Sequence, residues 1–250
     1  SVRDAMGKDP KGSLKKLADM GYIHVEHANY INRKFYGFDA KEFKKILADL
    51  SLQMPSGHTV MTAHDWDTSK NDFTDKWKYT IEDAAEVGQR YVISPWLDED
   101  LRHDMDGLKR FMDQFNKCGE LCKKSGMKFG YHNHNFEFST KVGDSDLYDY
   151  ILKNTDPELV AQQMDIGNML GGGGIDLDLL KKYPGLFELM HVKDEIKSTT
   201  GQGMDGYDST ILGAGVMPVK DIVKEARKMA EPRNLSSSRS RTRAKIHSIV

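Results

Sequence analysis

The sequence predicts an α/β fold of parallel strands joined by helices, in the form of a (β/α)8 barrel. Strand-like and helix-like segments alternate along the chain with a period of roughly 25 to 40 residues, as they do in βα units. Six strands are visible, and polar residues follow each of them. An open, doubly wound sheet would concentrate its functional residues at one switch point, so the barrel is favoured over that alternative.

Capping signals and apolar stripes mark the predicted helices. The first helix begins at Asp9-Pro10, because proline suits a first helical turn, and ends at Gly21. The other helices are predicted at residues 40–50, 75–87, 101–124, 147–152, 175–182 and 218–229. The strands are predicted at residues 22–26, 51–55, 91–94, 160–165 and 187–192, and at the start of the stretch 127–138.

Composition narrows the function classes. The 250 residues, of which 38% are hydrophobic, suffice for one large α/β domain or two small ones. The formal charge of −2 gives no support to a nucleic-acid partner, which usually requires a basic face. No apolar run is long enough to cross a membrane. Because the chain opens at Ser1 without an initiator methionine or visible signal peptide, the compartment stays open between cytoplasm and periplasm.

Cys118 and Cys122 lie one helical turn apart and are predicted to be half-buried thiols rather than a redox or zinc pair.

The stretch from Met127 to Phe138 is predicted to carry a functional site. After a strand-like start it places His132, His134 and Glu137 within six residues, where the strand should end. Imidazole and carboxylate groups at the C-terminal end of a strand suit a borderline divalent cation. Strand alternation would turn His132 and His134 to the same face.

Two later apolar runs also end in residues that commonly bind metals, Asp165 and His191. Together with the first stretch they offer three strand ends that supply His, Asp and Glu, as a metal site at the mouth of a parallel barrel requires. The four glycines at 171–174 are not a dinucleotide-binding fingerprint, because they do not open a helix directly after a strand.

Seven short motifs at these strand ends carry a family resemblance. They are Gly21-Tyr-Ile-His-Val-Glu26, Ser56-Gly-His58, Tyr91-Val-Ile-Ser-Pro-Trp96, Tyr131-His-Asn-His134, Met164-Asp-Ile-Gly-Asn168, His191-Val-Lys-Asp194 and Leu212-Gly-Ala-Gly215. With these motifs the chain resembles the sugar phosphate isomerase/epimerase family, a group of xylose isomerase-like TIM barrels. The resemblance runs from about Ser1 to about Met229.

The resemblance implies a TIM barrel over residues 1–230 that lacks its first strand and has an altered eighth strand. Residues 231–250 then form a basic Ser/Arg-rich tail, which we expect to be disordered. Members of this family bind one divalent metal ion, here expected to be Mn, Co, Zn or Mg, through Glu, Asp, His and a second Glu. Carried over, Asp165 and His191 take the second and third places. Glu137 is favoured for the first place and His132 is expected to line the site, while the fourth ligand has no counterpart in the tail.

The implied activity is isomerisation or epimerisation of a keto sugar by proton removal next to the carbonyl, through an enediolate. His132 or His134 would be the base, because imidazole titrates near neutrality. Lys193 would polarise a substrate oxygen, or else form only a surface salt bridge.

Three more residues at strand ends are expected to bind the substrate by holding hydroxyl groups or stacking on a sugar face, with a purely structural role as the alternative. They are Glu26, His58 and Trp96. The expected partner is a small sugar, with no nucleic acid and no membrane, and the family also suggests a homo-oligomer.

The same site suits a β-elimination, because that reaction also begins with proton removal next to a carbonyl. A lyase or dehydratase acting on a 3-keto-glycoside or an inosose-like substrate is therefore the close alternative. A phosphodiesterase resembling endonuclease IV would need three metals and a basic groove, neither of which is indicated. An inactive sugar-binding relic is the alternative from outside the enzymes.

Overall fold

In the computed structural model, residues 2–199 and 206–230 are described, and their helices and parallel strands alternate as predicted. The tail at residues 231–250 lies outside the described residues. Contacts between Cα atoms divide the chain into two compact units. Among the described residues, the first comprises 2–131 and 158–160, and the second comprises 132–157, 161–199 and 206–230.

The first unit is built on parallel strands that pair in chain order. They are β1 (His24–His27), β2 (Gln53–His58), β3 (Tyr91–Ser94) and β4 (Lys128–His132), the last residue of which already belongs to the second unit. In register, Ser56 pairs with both Glu26 and Tyr91. Five helices follow or precede these strands: α1 (Arg3–Lys8), α2 (Pro10–Asp19), α3 (Ala40–Asp49), α4 (Asp75–Val87) and α5 (Met105–Lys124).

Side-chain caps explain where these helices begin. The carboxylate of Asp9 accepts a hydrogen bond from Gly12 N at 2.9 Å at the start of α2. Asp39 does the same for α3, where it accepts from Glu42 N at 2.8 Å. Each cap satisfies a backbone N–H that has no partner within the helix. The predicted helix at 101–124 starts later, at residue 105, because a short 3-10 turn precedes it.

The inner face of α5 is buried more completely than its sequence suggested. Cys118 and Cys122 are both 0% exposed, and Trp77 Nε1–H donates to Cys118 Sγ at 3.2 Å. The prediction of half-buried thiols is therefore wrong. Burial raises the pKa of the Cys118 thiol, so it remains protonated and packs as a small hydrophobic group.

The second unit contains β5 (Val160–Asp165, of which Val160 belongs to the first unit) paired in parallel with β6 (Phe187–His191). Its helices are α6 (Phe136–Ser139), α7 (Leu147–Asn154), α8 (Ile166–Gly171), α9 (Asp176–Lys182) and α10 (Val219–Ala230). After β6 an antiparallel hairpin joins Asp194–Lys197 to Tyr207–Thr210.

Two short helices of this unit were not predicted. Helix α6 carries Glu137, so that residue does not lie on a strand, and β4 already ends at His132. Helix α8 begins directly after Asp165, whose carboxylate caps it by accepting from Asn168 N at 2.9 Å. Both helices are too short to produce a periodic apolar pattern, which explains why no pattern in the sequence marked them.

None of the helices in the described ranges combines the length and the apolar character needed to cross a membrane. This agrees with the hydropathy of the sequence.

Gly57 in β2 allows the side chains of His27 and Gln89 to lie close to the strand backbone within the first unit. A Cβ built on this residue would lie 1.9 Å from His27 Nε2 and 2.7 Å from Gln89 Nε2. Both of these side chains are buried, so neither can move aside into solvent. The His27 ring also packs edge-on against Phe35, at 4.9 Å between ring centroids.

We expect Gly57→Ala to lower the free energy of unfolding by about 1–3 kcal/mol, the usual cost of overpacking a core. Gly7→Ala is the matched control, because a Cβ there would meet no atom within 4 Å. In a helix, alanine instead stabilises by about 0.5–1 kcal/mol relative to glycine. Urea denaturation of both variants measures the two values. Equal effects of the two substitutions would contradict the steric account.

Candidate metal centre

Three of the predicted site residues close neighbouring strands, and the structure brings them together in the second unit. His132 is the last residue of β4, Asp165 the last of β5 and His191 the last of β6. Asp165 and His191 face each other in register. The centroids of the His132 and His191 rings are 4.7 Å apart. Parallel strands therefore place these three side chains at the same end of neighbouring strands.

The carboxylate of Asp165 is the centre of this cluster, and it is completely buried. Its Oδ2 atom lies 2.9 Å from Lys193 Nζ and 3.5 Å from His191 Nδ1. The same oxygen lies 3.7 Å from His132 Nε2. Its other oxygen is used as the cap of α8. One carboxylate oxygen thus faces three nitrogen atoms.

The charge state of Asp165 is set by these neighbours. Burial by itself would raise the pKa of the carboxyl, but the His191 imidazole and the Lys193 ammonium outweigh it and hold the pKa below its ordinary value. Oδ2 is paired with the Lys193 ammonium at 2.9 Å, while the His191 and His132 nitrogens lie farther away, at 3.5 and 3.7 Å. A buried, ionised oxygen in this condition fits a cation ligand.

Two asparagines hold the backbone around Asp165. The Asn133 side chain accepts from Asp165 N at 2.8 Å and donates to Asp165 O at 3.0 Å. Asn168 donates from its side chain to Asn133 O at 3.0 Å and accepts from Lys193 Nζ at 3.1 Å. Sequence reasoning did not assign a role to either residue. Their signal in the sequence was that each belongs to a motif of the family resemblance, Tyr131–His134 for Asn133 and Met164–Asn168 for Asn168.

Lys193 belongs to the cluster rather than to a surface pair with its neighbour Asp194. The Asp194 carboxylate accepts from the backbone N–H groups of Gly213, Gly215, Met217 and Glu195 at 2.8 to 3.2 Å. Burial would raise the pKa of Asp194, but these four donors lower it. The Lys193 ammonium binds Asp165 instead, and its side chain remains 35% exposed.

Gly167 makes room for Lys193 beside α8. A Cβ on this glycine would lie 2.5 Å from Glu195 Oε1 and 2.9 Å from Lys193 Cδ. Glu195 is buried, accepts from Ser209 Oγ at 2.9 Å, and has a pKa raised by burial. Two charged side chains therefore pack directly against the helix that follows Asp165.

Glu137 and His134 lie on the segment after β4. The Glu137 carboxylate is completely buried, and its Oε2 accepts from His134 N at 2.9 Å. Burial and the charge of Glu137 together raise the pKa of Tyr148. The His134 ring stacks on Phe136, with 6.0 Å between centroids, and lies 5.2 Å from the His132 ring. The assignment of Glu137 as a metal ligand stays a prediction.

The expected substrate-binding residues belong to the first unit. His58 Nε2 lies 3.4 Å from Glu26 Oε2, and both side chains are almost fully buried. The neighbouring His27 is neutral, because burial and the nearby His58 lower its pKa to about 3. Trp96 is 41% exposed, and the guanidinium of Arg102 lies 4.8 Å from its ring centroid. Their role towards a substrate stays a prediction.

Comparison with known proteins gives matches over most of the chain. Residues 14–232 match a family model described as xylose isomerase-like TIM barrel. The inosose dehydratase of Clostridium tetani is 31% identical over 220 residues, which are 82% of this chain and 71% of that protein. The inosose dehydratase of Geobacillus kaustophilus is 25% identical over 198 residues. Those residues are 72% of this chain, but the match spans only 60% of the length of the dehydratase.

Solved structures agree in fold. A sugar phosphate isomerase/epimerase from Parabacteroides distasonis superimposes with a TM-score of 0.75 at 25% identity, over 99% of this chain and 86% of that chain. More distant structures, at 14% and 16% identity, are an IolI protein with a bound zinc atom and a Mycobacterium smegmatis protein in complex with magnesium. At such identity the likeness concerns the fold alone.

Asp176, at the start of α9, is a buried acid that the sequence did not single out. Its Oδ1 atom has no hydrogen-bond partner among the described residues. Burial, reinforced by the charge of Asp165, raises the pKa of Asp176 to about 7. The folded state therefore binds a proton that the unfolded chain releases at a pKa near 3.8.

The contribution of Asp176 to stability is fully present below pH 4 and is lost as the pH rises through 7. We expect Asp176→Asn to remove this loss, which between pH 5 and pH 8 amounts to at most about 3 kcal/mol at 1.4 kcal/mol per pH unit. Urea denaturation of the parent and the variant at pH 5 and pH 8, with a chelator present, measures it. Asp178→Asn on the same helix is the control, because Asp178 is exposed. An unchanged pH dependence in Asp176→Asn would show that Asp176 is ionised in the folded chain.

Proposed function

The chain belongs to the xylose isomerase-like TIM barrel family, as its motifs predicted, and we propose that it is a divalent-metal-dependent lyase. In this proposal the enzyme removes a proton next to the carbonyl of a keto sugar or cyclic polyol ketone and eliminates water. One observation carries the proposal: Oδ2 of the buried, ionised Asp165 faces His132, His191 and Lys193.

The donor atoms of the cluster suit one divalent ion, Mn, Co, Zn or Mg. Asp165 and His191 would hold it, with a third ligand from His132 or Glu137. Asp165 Oδ2 and His191 Nδ1 are 3.5 Å apart, close enough for both atoms to bind the same ion. When bound, such an ion polarises a carbonyl oxygen and stabilises the negative charge that develops there.

The chain's own residues would carry the protons. The imidazole of His132 or His134 accepts the proton when the C–H bond next to the carbonyl breaks. The C–O bond of the neighbouring carbon then breaks, and the leaving hydroxide takes a proton from the Lys193 ammonium. Water is lost and nothing is oxidised or reduced. Asn168 would hold Lys193 in place for this step, through the 3.1 Å contact with its side-chain oxygen.

Elimination is preferred over isomerisation because the curated relatives named above are inosose dehydratases. The second candidate is a sugar isomerase or epimerase, favoured by the structural likeness to the Parabacteroides distasonis protein. The two reactions share proton removal and differ in the step after it. In the second, the proton returns to the substrate and no hydroxyl leaves.

We expect the purified chain to bind about one divalent ion. Asp165→Asn and His191→Gln should each weaken that binding by more than about 100-fold, which exceeds the usual effect of replacing a residue that only contacts a ligand. Elemental analysis and titration calorimetry with Mn or Zn measure this. Asp178→Asn is the control, because it removes the same charge from an exposed position. Equal binding by Asp165→Asn and the parent would exclude this site.

For activity, we expect metal-loaded protein in D2O to convert an inosose into a product that has lost one water. Lys193→Met should slow this loss by about 10²–10⁴-fold, the usual value of a positioned acid, while hydrogen exchange next to the carbonyl continues. NMR measures the exchange and mass spectrometry the loss. Lys197→Met, which is exposed on the following strand, should behave as the parent.

Two results would go against elimination. A deuterated epimer without loss of water would favour the isomerase candidate. If neither exchange nor product is seen with a panel of inososes, keto sugars and 3-keto-glycosides, the result would favour a sugar-binding protein without catalytic activity.

A further inference from the structure

Gln163 makes one contact that bears on the whole cluster. Its side-chain oxygen Oε1 lies 2.9 Å from His132 Nδ1. Gln163 is 0% exposed and His132 is 4% exposed, so no water competes for this hydrogen bond. The two residues lie on β5 and β4 respectively, at positions held by the strands rather than by loops.

This contact determines which nitrogen of His132 carries the proton. An amide oxygen only accepts hydrogen bonds, so Nδ1 must donate and the neutral imidazole is the Nδ1–H tautomer. The lone pair is then on Nε2. An unconstrained imidazole prefers the opposite tautomer, with its proton on Nε2.

The surroundings of Nε2 show what this tautomer is suited to. Nε2 accepts a long hydrogen bond from the Asn168 side-chain N–H at 3.5 Å and lies 3.7 Å from Asp165 Oδ2. A nitrogen lone pair and an ionised carboxylate oxygen repel each other when nothing lies between them. A cation that binds both donor atoms converts that repulsion into attraction.

We propose that Gln163 is a positioning residue that holds His132 in the Nδ1–H tautomer, so that Nε2 binds the divalent cation together with Asp165 and His191. This inference rests on the proposed metal site. It assigns the third ligand to His132 rather than to Glu137, and the base of the proposed reaction is then His134. One Glu137 oxygen already accepts from the backbone of His134.

Gln162 provides a matched control on the same strand. It is also a glutamine with 0% exposure, and its side-chain nitrogen lies 3.4 Å from Thr155 Oγ1. This contact directs the Gln162 amide to Thr155 rather than to His132. Replacing either glutamine by methionine removes one buried amide and preserves the approximate volume.

The first experiment is long-range 1H–15N NMR of the metal-free chain labelled with 15N-histidine, with His132 assigned by its loss in His132→Asn. We expect the Nδ1–H tautomer in the parent and in Gln162→Met, and a shift towards the Nε2–H tautomer in Gln163→Met. An Nε2–H tautomer in the parent would overturn the proposal.

The second experiment is calorimetric titration of each variant with Mn or Zn. Gln163→Met should weaken binding by about 10–100-fold, as outer-shell changes do, and Gln162→Met by less than about threefold. His132→Asn should weaken binding more than Gln163→Met, and Glu137→Gln should leave it near the parent value. Loss of binding in Glu137→Gln with retention in His132→Asn would assign the ligand to Glu137 and overturn the proposal.

Gln163→Glu separates positioning from simple packing. A carboxylate also accepts from Nδ1–H, so this variant should keep the tautomer and bind metal within a few-fold of the parent. Circular dichroism confirms folding of each variant. Equal weakening in Gln163→Glu and Gln163→Met would show that Gln163 acts only through packing. Both experiments read out tautomer and affinity, so an inactive protein that passes them refutes the proposed reaction and leaves this inference intact.

Discussion

The ionised, completely buried carboxylate of Asp165 is the constraint that the surrounding structure satisfies. A charge removed from water costs several kcal/mol unless it is paired and hydrogen-bonded. Here the offset comes from the Lys193 ammonium, the His191 imidazole and a backbone N–H of α8. His191 ends β6, Lys193 follows it, and the N–H group belongs to the first turn of α8, so the charge is stable only when β5, β6 and α8 have assembled.

The surroundings of Asp165 are held in place by the side chains of two asparagines. Asn133 binds both backbone groups of Asp165, and Asn168 connects Lys193 to Asn133. Both asparagine side chains are buried, so water does not compete for these bonds. Groups held in this way need little rearrangement when a charged ligand or a developing negative charge arrives, which is the condition for strong electrostatic stabilisation.

Burying a charge is also unfavourable inside the first unit, but there the buried histidine is neutral. His27 is buried against Gly57 and Phe35, and it avoids the cost of a buried charge by staying neutral. Glu26 keeps His58 beside it at 3.4 Å. In the second unit, Asp165 stays ionised because the Lys193 ammonium and the His191 imidazole lie beside it. The difference between the two cases is a difference in neighbours, because desolvation opposes the charged form in both.

The sequence by itself determined the alternation of strands and helices, the start of a helix at Asp9-Pro10, and the positions of Asp165 and His191 at strand ends. These features depend on local patterns of apolar residues and on neighbouring side chains, which a linear sequence records. Only the tertiary structure showed that Lys193 binds Asp165 rather than Asp194, and that Gln163 meets His132. Those contacts join residues 28 to 31 positions apart, and the sequence contains no pattern that pairs them. They arise because parallel strands bring together side chains whose distance along the chain is set by the helices between them.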